Sequence, residues 1–250
     1  MTTSVPAESA SPALSHRDTD SLPARAMGVL RSPRATLEAV AAKPRWKGVL
    51  AFTFIVSAVS SALLLGTEVG QLALLDQWER TAIAFGQPVN DAQYAAMVEA
   101  SRNGGIAYAV ASSLASGPLV ACVLAAVLFA VFRRGSAGVS YQQVLAVVAH
   151  AGVILAVRQV IAAPVNYARE TLASPTTATL FVTMLDEASP VARFFGVIDL
   201  FVLWWIGVLA VGMSVLFRRP ARPLAIIFVG AYITLALILA IVMAVTGGTA

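Results

Sequence analysis

Charged residues are scarce in this chain. They make up 12% of its 250 residues, whereas soluble globular domains have about a quarter. Hydrophobic residues make up 58%, and the mean hydropathy is +0.80. A chain this apolar has too few polar side chains to cover a surface in water, so the composition predicts an integral membrane protein.

Cysteine and catalytic motifs are also nearly absent. The single cysteine, Cys122, can form neither an internal disulfide nor a metal site made of several cysteines. The sequence has no GxxxxGK[ST], GxGxxG, GxSxG or HExxH motif and no CxxC pair, the usual signatures of nucleotide binding, serine hydrolysis and zinc catalysis. We therefore predict no catalytic residue, no metal site and no cofactor, and we expect a protein that is not an enzyme.

Long apolar runs are what the sequence has instead. About 20 apolar residues in a helix cross the hydrocarbon core of a bilayer, and none of these runs alternates with the period of two that barrel strands show. We predict an all-α fold, a polytopic bundle of five transmembrane helices with short interfacial helices. The predicted spans are Gly48–Gly66, Ile106–Phe132, Val144–Val165, Phe194–Phe217 and Leu224–Val245.

Two other features of the chain refine this prediction. Gly117 and Pro118 predict a kink in the second span, because proline removes a backbone donor and clashes with the preceding turn. Residues 1–23 are rich in Ser, Thr, Ala and Pro and predict a disordered cytoplasmic tail ahead of a membrane domain over residues 24–250. This tail lacks the apolar core and cleavage site of a secretory signal, so we expect the first span to remain as an anchor.

Basic residues predict the orientation of the spans. A net charge of +4 and a pI near 9.6 could indicate nucleic acid, but these residues lie beside apolar runs, and we expect no nucleic-acid partner. One side of the membrane has Arg17, Arg25, Arg31, Arg34, Lys43, Arg45, Lys47, Arg133, Arg134, Arg218, Arg219 and Arg222, and the other has Arg80, Arg102, Arg169 and Arg193. Since cytoplasmic loops are enriched in Lys and Arg, we expect a protein of the cytoplasmic membrane with its amino terminus inside and its carboxyl terminus outside.

Short helices are predicted outside the spans. Ser32 and Pro33 supply an N-cap and a first-turn proline for a helix on the cytoplasmic surface, with Trp46 at the membrane interface. On the outer side, two segments have helix-start signals, and each is either a helix or a polar connecting loop. The first is capped by Asn90-Asp91 and ends at Asn103-Gly104, and the second begins at Ser174-Pro175 and ends before Pro190.

Three ionisable residues, His150, Arg158 and Asp199, lie inside the predicted spans. Arg158 lies roughly 10 Å from the outer end of the third span, and Asp199 roughly 8 Å inside the fourth, at 1.5 Å per residue. A charge in lipid costs about 3 kcal/mol even on a lenient scale, so we predict an ion pair between Arg158 and Asp199. The alternative is that each side chain reaches the outer interface separately.

His150 allows two interpretations. A histidine inside the membrane can relay protons or bind a ligand, but a metal site needs further ligands that converge on it. We interpret His150 as a residue that is hydrogen-bonded within the bundle.

Three stretches of the chain resemble the Yip family, the Ypt/Rab-interacting membrane proteins and their bacterial relatives. They are RAMGVLRSPRATLEAVAAKPRW, LVACVLAAVLFAVFRRGSAGVSYQQVLAVVAHAGVI and IDLFVLWWIGVLAVGM. Their order and spacing match the family over roughly residues 25 to 245. The resemblance implies a five-span helical domain with a cytoplasmic amino terminus.

The resemblance also bears on function. In eukaryotic members it implies vesicle-trafficking roles and contacts with prenylated GTPases, but the Ala- and Arg-rich composition is typical of a bacterial member, which has no such partner. We expect a non-enzymatic protein that acts through membrane lipids, other membrane proteins or homo-oligomers. The alternative is a small transporter or lipid-moving protein whose path is lined by His150, Arg158 and Asp199.

Overall fold

The computed structural model describes residues 21–133, 138–178 and 190–246. In these ranges the chain forms α-helices, one π-helical turn (Ser112–Ser116) and no strand beyond an isolated bridge between Thr177 and Asp199, which confirms the predicted all-α fold. The helices are α1 (Leu22–Arg31), α2 (Pro33–Ala42), α3 (Lys47–Leu65), α4 (Glu68–Ala84), α5 (Asp91–Ala111), α6 (Gly117–Phe132), α7 (Tyr141–Ala151), α8 (Val153–Arg169), α9 (Pro190–Val197), α10 (Leu200–Phe217) and α11 (Ala221–Thr246).

Five helical segments are long and apolar enough to cross a membrane, as predicted. They are α3, the continuous α5–α6 segment, the α7–α8 segment, α10 and residues 221–242 of α11. We call the end of the bundle where α3 begins and α10 ends the basic end, because Lys47 and Arg218 lie there. The opposite end, where α3 leads into α4, is the hairpin end.

The second span is much longer than predicted. An N-cap at Asn90 starts α5, with Asn90 Oδ1 accepting from the Gln93 N–H at 2.9 Å and Gln93 Oε1 accepting from the Asn90 N–H at 3.0 Å. The helix does not end at Asn103-Gly104, and that prediction is wrong: α5, the π-helical turn and α6 form one segment of 42 residues. Gly105, the next residue, has a packing role, because a Cβ there would lie 3.1 Å from the carbonyl oxygen of Leu65. The glycine allows α5 to pack closely on α3 and does not end the helix.

Gly117 and Pro118 lie where the helix changes type. The π-helical turn ends at Ser116, and Gly117 begins α6. Pro118 is in the first turn of α6, and π-helical turns inside long helices accommodate a disrupted hydrogen-bond pattern. A Cβ on Gly117 would lie 2.3 Å from the Phe54 ring, so the glycine also permits a close contact with α3.

The predicted helix after Ser32-Pro33 is present as α2, but it covers the bundle. Leu37 and Val40 are buried, and α2 packs against α7 and α10. A Cβ on Gly212 of α10 would lie 2.4 Å from Val147 and 3.2 Å from Leu37, so Gly212 is what lets α2, α7 and α10 meet. Trp46 is partly buried beside this contact and precedes α3.

The helix α1 was not predicted from the sequence. Ser21 Oγ accepts from the Ala24 N–H, and Pro23 lies in the first turn. This is the start signal used to predict α2, but it lies where the predicted disordered tail, residues 1–23, ends. Residues 1–20 of that tail lie outside the described residues, as do residues 179–189, which make up most of the second predicted outer helix.

The α7–α8 segment is the centre of the bundle. Within its most apolar window 61% of the residues are buried, against 11% for α11. Two hydrogen bonds fix the start of α7: Tyr141 Oη donates to the Cys122 carbonyl at 3.1 Å, and Gln143 Nε2 donates to the Ala41 carbonyl at 2.9 Å. These bonds join α7 to α6 and to the end of α2.

Large apolar side chains cover the outside of the described bundle. On α6 they follow one face, and on α11 they are exposed over most of the helix; they include Leu119, Val123, Val127, Val131, Ile227, Leu235, Ile238 and Ile241. Apolar surface of this extent is stable in lipid and costly in water. The side chains therefore agree with the spans in describing a multi-pass membrane protein.

Candidate functional site

Asp199 lies at a break in the helical chain. The short helix α9 ends at Val197 and α10 begins at Leu200, so the predicted span from Phe194 is interrupted. Asp199 is the N-cap of α10, where its Oδ1 accepts from the N–H groups of Phe201 at 2.8 Å and Val202 at 3.4 Å. The prediction that Asp199 lies inside the fourth span is corrected: it starts that span, because α10 alone is long enough to cross the membrane.

The segment of residues 174–178, which we call the returning segment, completes the hydrogen bonding at this break. The Leu200 N–H donates to the Thr176 carbonyl at 3.0 Å, and the Ala178 N–H donates to the Ile198 carbonyl at 2.8 Å. The Asp199 N–H donates to the Tyr232 hydroxyl of α11 at 3.0 Å. Irregular backbone at membrane depth is stable only where protein satisfies its polar groups, and these bonds meet that requirement.

Arg158 and Asp199 form the predicted ion pair. Arg158 Nε lies 2.8 Å from Asp199 Oδ2. The Asp199 side chain is 4% exposed and the Arg158 side chain 28% exposed, so the carboxylate is enclosed and the guanidinium is reached from one side. The pair joins α8 to the start of α10, as expected from their similar depth on consecutive antiparallel helices.

Two hydroxyl groups were not predicted as partners of Asp199. Ser174 Oγ donates to Oδ2 at 2.6 Å, and Thr176 Oγ1 donates to the same oxygen at 2.9 Å. From the sequence, Ser174-Pro175 begins either a helix or a polar connecting loop; in the structure Thr176 lies in a turn, and Thr177 forms the isolated bridge with Asp199. The only sequence signal for these partners was the run of Ser and Thr residues before the fourth span, and such a run also occurs where a helix begins.

A cavity of about 200 Å³ lies beside the ion pair, between α3, α4, α5 and α8. Its lining is unusually polar for an apolar bundle and includes Ser61, Gln77, Ser112, Arg158, Gln159, Asn166 and Ser174. Gln159 Nε2 donates to Ser61 Oγ at 2.9 Å. Asn166 is 7% exposed, and its Oδ1 has no hydrogen-bond partner within the described residues.

His150 lies apart from this cavity. It is fully buried in α7, and its Nδ1 lies 2.7 Å from the carbonyl oxygen of Ala146. A carbonyl oxygen only accepts, so Nδ1 carries the proton, and Nε2 has no partner among the residues that the structure describes. The expected hydrogen bond within the bundle is present, and His150 does not join Arg158 and Asp199 in one site.

Each of the three stretches that resemble the Yip family contains the start of a helix. Ser32 precedes α2, Ser140 caps α7 by accepting from the Gln143 N–H at 3.3 Å, and Asp199 caps α10. The sequence profile described as the Yip1 domain matches residues 27–243, nearly the whole chain. This chain belongs to the Yip1 domain family. Comparison with curated proteins and with solved structures finds no match.

The matched range shows how much of the chain the Yip1 domain covers. It begins within α1 and runs almost to the end of α11. The domain is therefore the membrane bundle itself, and both the Asp199 site and the polar cavity belong to it.

Asp199 should contribute more to stability than its ion-pair partner. Both variants lose the ion pair, at a cost of about 3 kcal/mol or more, but Asp199→Ala also removes the cap of α10 and the acceptor for Ser174 and Thr176. Arg158→Gln leaves Asp199 with four other donors. We expect thermal unfolding in detergent to show a clearly larger loss for Asp199→Ala than for Arg158→Gln.

The charge-swapped double variant Arg158→Asp/Asp199→Arg separates the cap from the ion pair. An arginine cannot cap α10, so the swap should remain as unstable as Asp199→Ala. Recovery of wild-type stability by the swap would show that the ion pair alone matters.

Proposed function

We propose that this Yip1 domain is a non-enzymatic helical scaffold of the membrane. It acts by presenting its apolar faces to lipids and to other membrane proteins, which include further copies of the same chain.

The bonding of Asp199 is the observation that supports this proposal. Its carboxylate accepts from Arg158, from two hydroxyl groups and from two backbone N–H groups. A carboxylate with this many donors is held in its charged form and in one position. Such a group suits a fixed joint between helices better than a proton carrier.

Co-purification tests the scaffold. Cross-linking in native membranes before extraction should give a homo-oligomer or a stable partner that remains through purification. The matched control is the same cross-linking after dilution into excess detergent, which should lower the yield. A strictly monomeric protein without partners in native membranes would contradict the proposal.

We also infer that the basic end faces the cytoplasm, in the cytoplasmic membrane, and that the carboxyl terminus lies outside. The charge asymmetry supports this orientation, because α1, α2 and the ends of α6 and α10 have basic residues at the basic end. The hairpin end has Glu68, Asp76 and Asp91. Cytoplasmic segments attract Lys and Arg in this way.

Single-cysteine labelling tests the orientation. In a Cys122→Ser background, Ala95→Cys places an exposed thiol on α5, and Ala35→Cys places one on α2. We expect a membrane-impermeant thiol reagent to label Ala95→Cys in intact cells and to label Ala35→Cys only after permeabilisation. The reverse pattern would invert the topology.

The polar cavity favours a second candidate, a lipid-moving protein. Arg158, Gln159 and Asn166 give a bundle of apolar helices a hydrophilic interior on one side of α8. A headgroup that crosses the membrane needs such surroundings. His150, which belonged to the predicted path, does not line this cavity.

A scrambling assay tests this candidate. In vesicles that contain a fluorescent phospholipid, a lipid-moving protein makes the inner-leaflet probe accessible to dithionite. Asn166→Leu should abolish this access, because it removes a polar group from the cavity, while Asn103→Leu on the exposed face of α5 should leave it unchanged. No scrambling by the wild-type protein, or equal scrambling by both variants, would contradict the candidate.

A further inference from the structure

A second concave site lies at the basic end, between α1, α2 and the segment that leads into α3. Its volume is about 540 Å³, within the roughly 300–1,000 Å³ of small-molecule sites. Its charged lining residues are Arg25, Lys43 and Arg45. Within the described residues no Asp or Glu lines it, so the crevice has the electrostatic character of an anion site.

The geometry of α1 and α2 gives the crevice a fixed shape. The two helices meet closely at Gly28, where a Cβ would lie 2.5 Å from Thr36 Oγ1. At the other end, Arg25 Nη1 donates to the Arg45 carbonyl at 3.3 Å. These two contacts hold α1, α2 and the following segment around the space between them.

Arg25 is one of the described residues with a buried polar atom that lacks a hydrogen-bond partner. It is half-buried, and its Nε is enclosed without a hydrogen-bond partner among the described residues. A buried guanidinium nitrogen without an acceptor is costly. The planar guanidinium donates well to the oxygens of a phosphate, and Lys43, directly after the end of α2, supplies a second positive charge.

The crevice lies at the level of a membrane interface. Lys43 and Arg45 immediately precede α3, a span that begins at Lys47, and the Lys47 ammonium lies 5.7 Å from the centre of the Trp46 ring. Tryptophan and lysine at the end of a span are typical of the headgroup region. Phospholipid phosphates lie in that same region, whichever way the chain is inserted.

We propose that the crevice lined by Arg25, Lys43 and Arg45 binds a phosphate group, supplied by the headgroup of an anionic phospholipid. Arg25 and Lys43 contact the phosphate oxygens from α1 and from the end of α2, and the acyl chains extend along the apolar surface of α3. The site does not depend on the scaffold function, since a lipid at this position would bind to a transporter equally well.

Native mass spectrometry of the full-length protein tests the site. The probe is phosphatidylglycerol, with phosphatidylcholine of the same acyl chains as the zwitterionic reference. Arg25→Gln/Lys43→Gln should weaken phosphatidylglycerol binding about 25-fold, roughly five-fold for each cation. It should weaken phosphatidylcholine binding much less, because the choline cation of that lipid offsets the charge of its phosphate.

A control with the same change in charge is available on the same two helices. Arg31→Gln/Arg34→Gln removes two exposed cations that do not line the crevice, and its effect should stay within about two-fold of wild type. Equal losses in the two double variants, or equal binding of the two lipids by wild type, would overturn the site.

A variant that keeps all charges covers the case in which the double variant fails to fold. Ala39→Leu fills the crevice from α2 and should also weaken phosphatidylglycerol binding; unchanged binding would overturn the proposal. Inorganic phosphate distinguishes the source of the ligand. Displacement of the lipid by millimolar phosphate would assign the phosphate site to a soluble anion, and resistance to displacement assigns it to the lipid.

Discussion

The carboxylate of Asp199 is the contact on which the hairpin end of the bundle depends. It caps α10, pairs with Arg158 of α8 and accepts from Ser174 and Thr176 of the returning segment. In lipid each of those groups lacks water as an alternative partner. A single buried carboxylate therefore bonds to α8, α10 and the returning segment at once. This bonding stabilises the break between α9 and α10.

The basic end is held by packing in place of charge. Gly212 lets α2 approach α7 and α10, and Gly28 lets α1 approach α2. Hydrogen bonds from Tyr141 and Gln143 then fix α7 against α6 and α2. At the basic end α7 is thus held by close contacts with other helices. At the hairpin end α8, which continues from α7, is held by the ion pair between Arg158 and Asp199.

The sequence was sufficient for features with a strong local cause. Apolar runs predicted the five spans, and matching depth predicted the pairing of Arg158 with Asp199, because a buried charge needs a partner within reach. Prediction from the sequence failed where the same residue pattern occurs in two different structures. Asn103-Gly104 has the appearance of a helix end, but Gly105 serves close packing; Ser174-Pro175 has the appearance of a helix start, but its neighbours bind Asp199. The cavity depends on contacts between segments that are distant in sequence, and the crevice depends on how α1 packs against α2; a local sequence pattern encodes neither.

The α5–α6 segment has a geometric consequence. Its 42 residues give a rod about 63 Å long at 1.5 Å per residue, about twice the thickness of the hydrocarbon core. A rod of this length along the membrane normal cannot lie wholly within the hydrocarbon core, and the π-helical turn at Ser112–Ser116 is where its regular geometry is interrupted. Gly117 lies directly after that turn, and a Cβ there would lie 2.3 Å from the Phe54 ring, so the change of helix type occurs at the same level as the close contact between α6 and the first span.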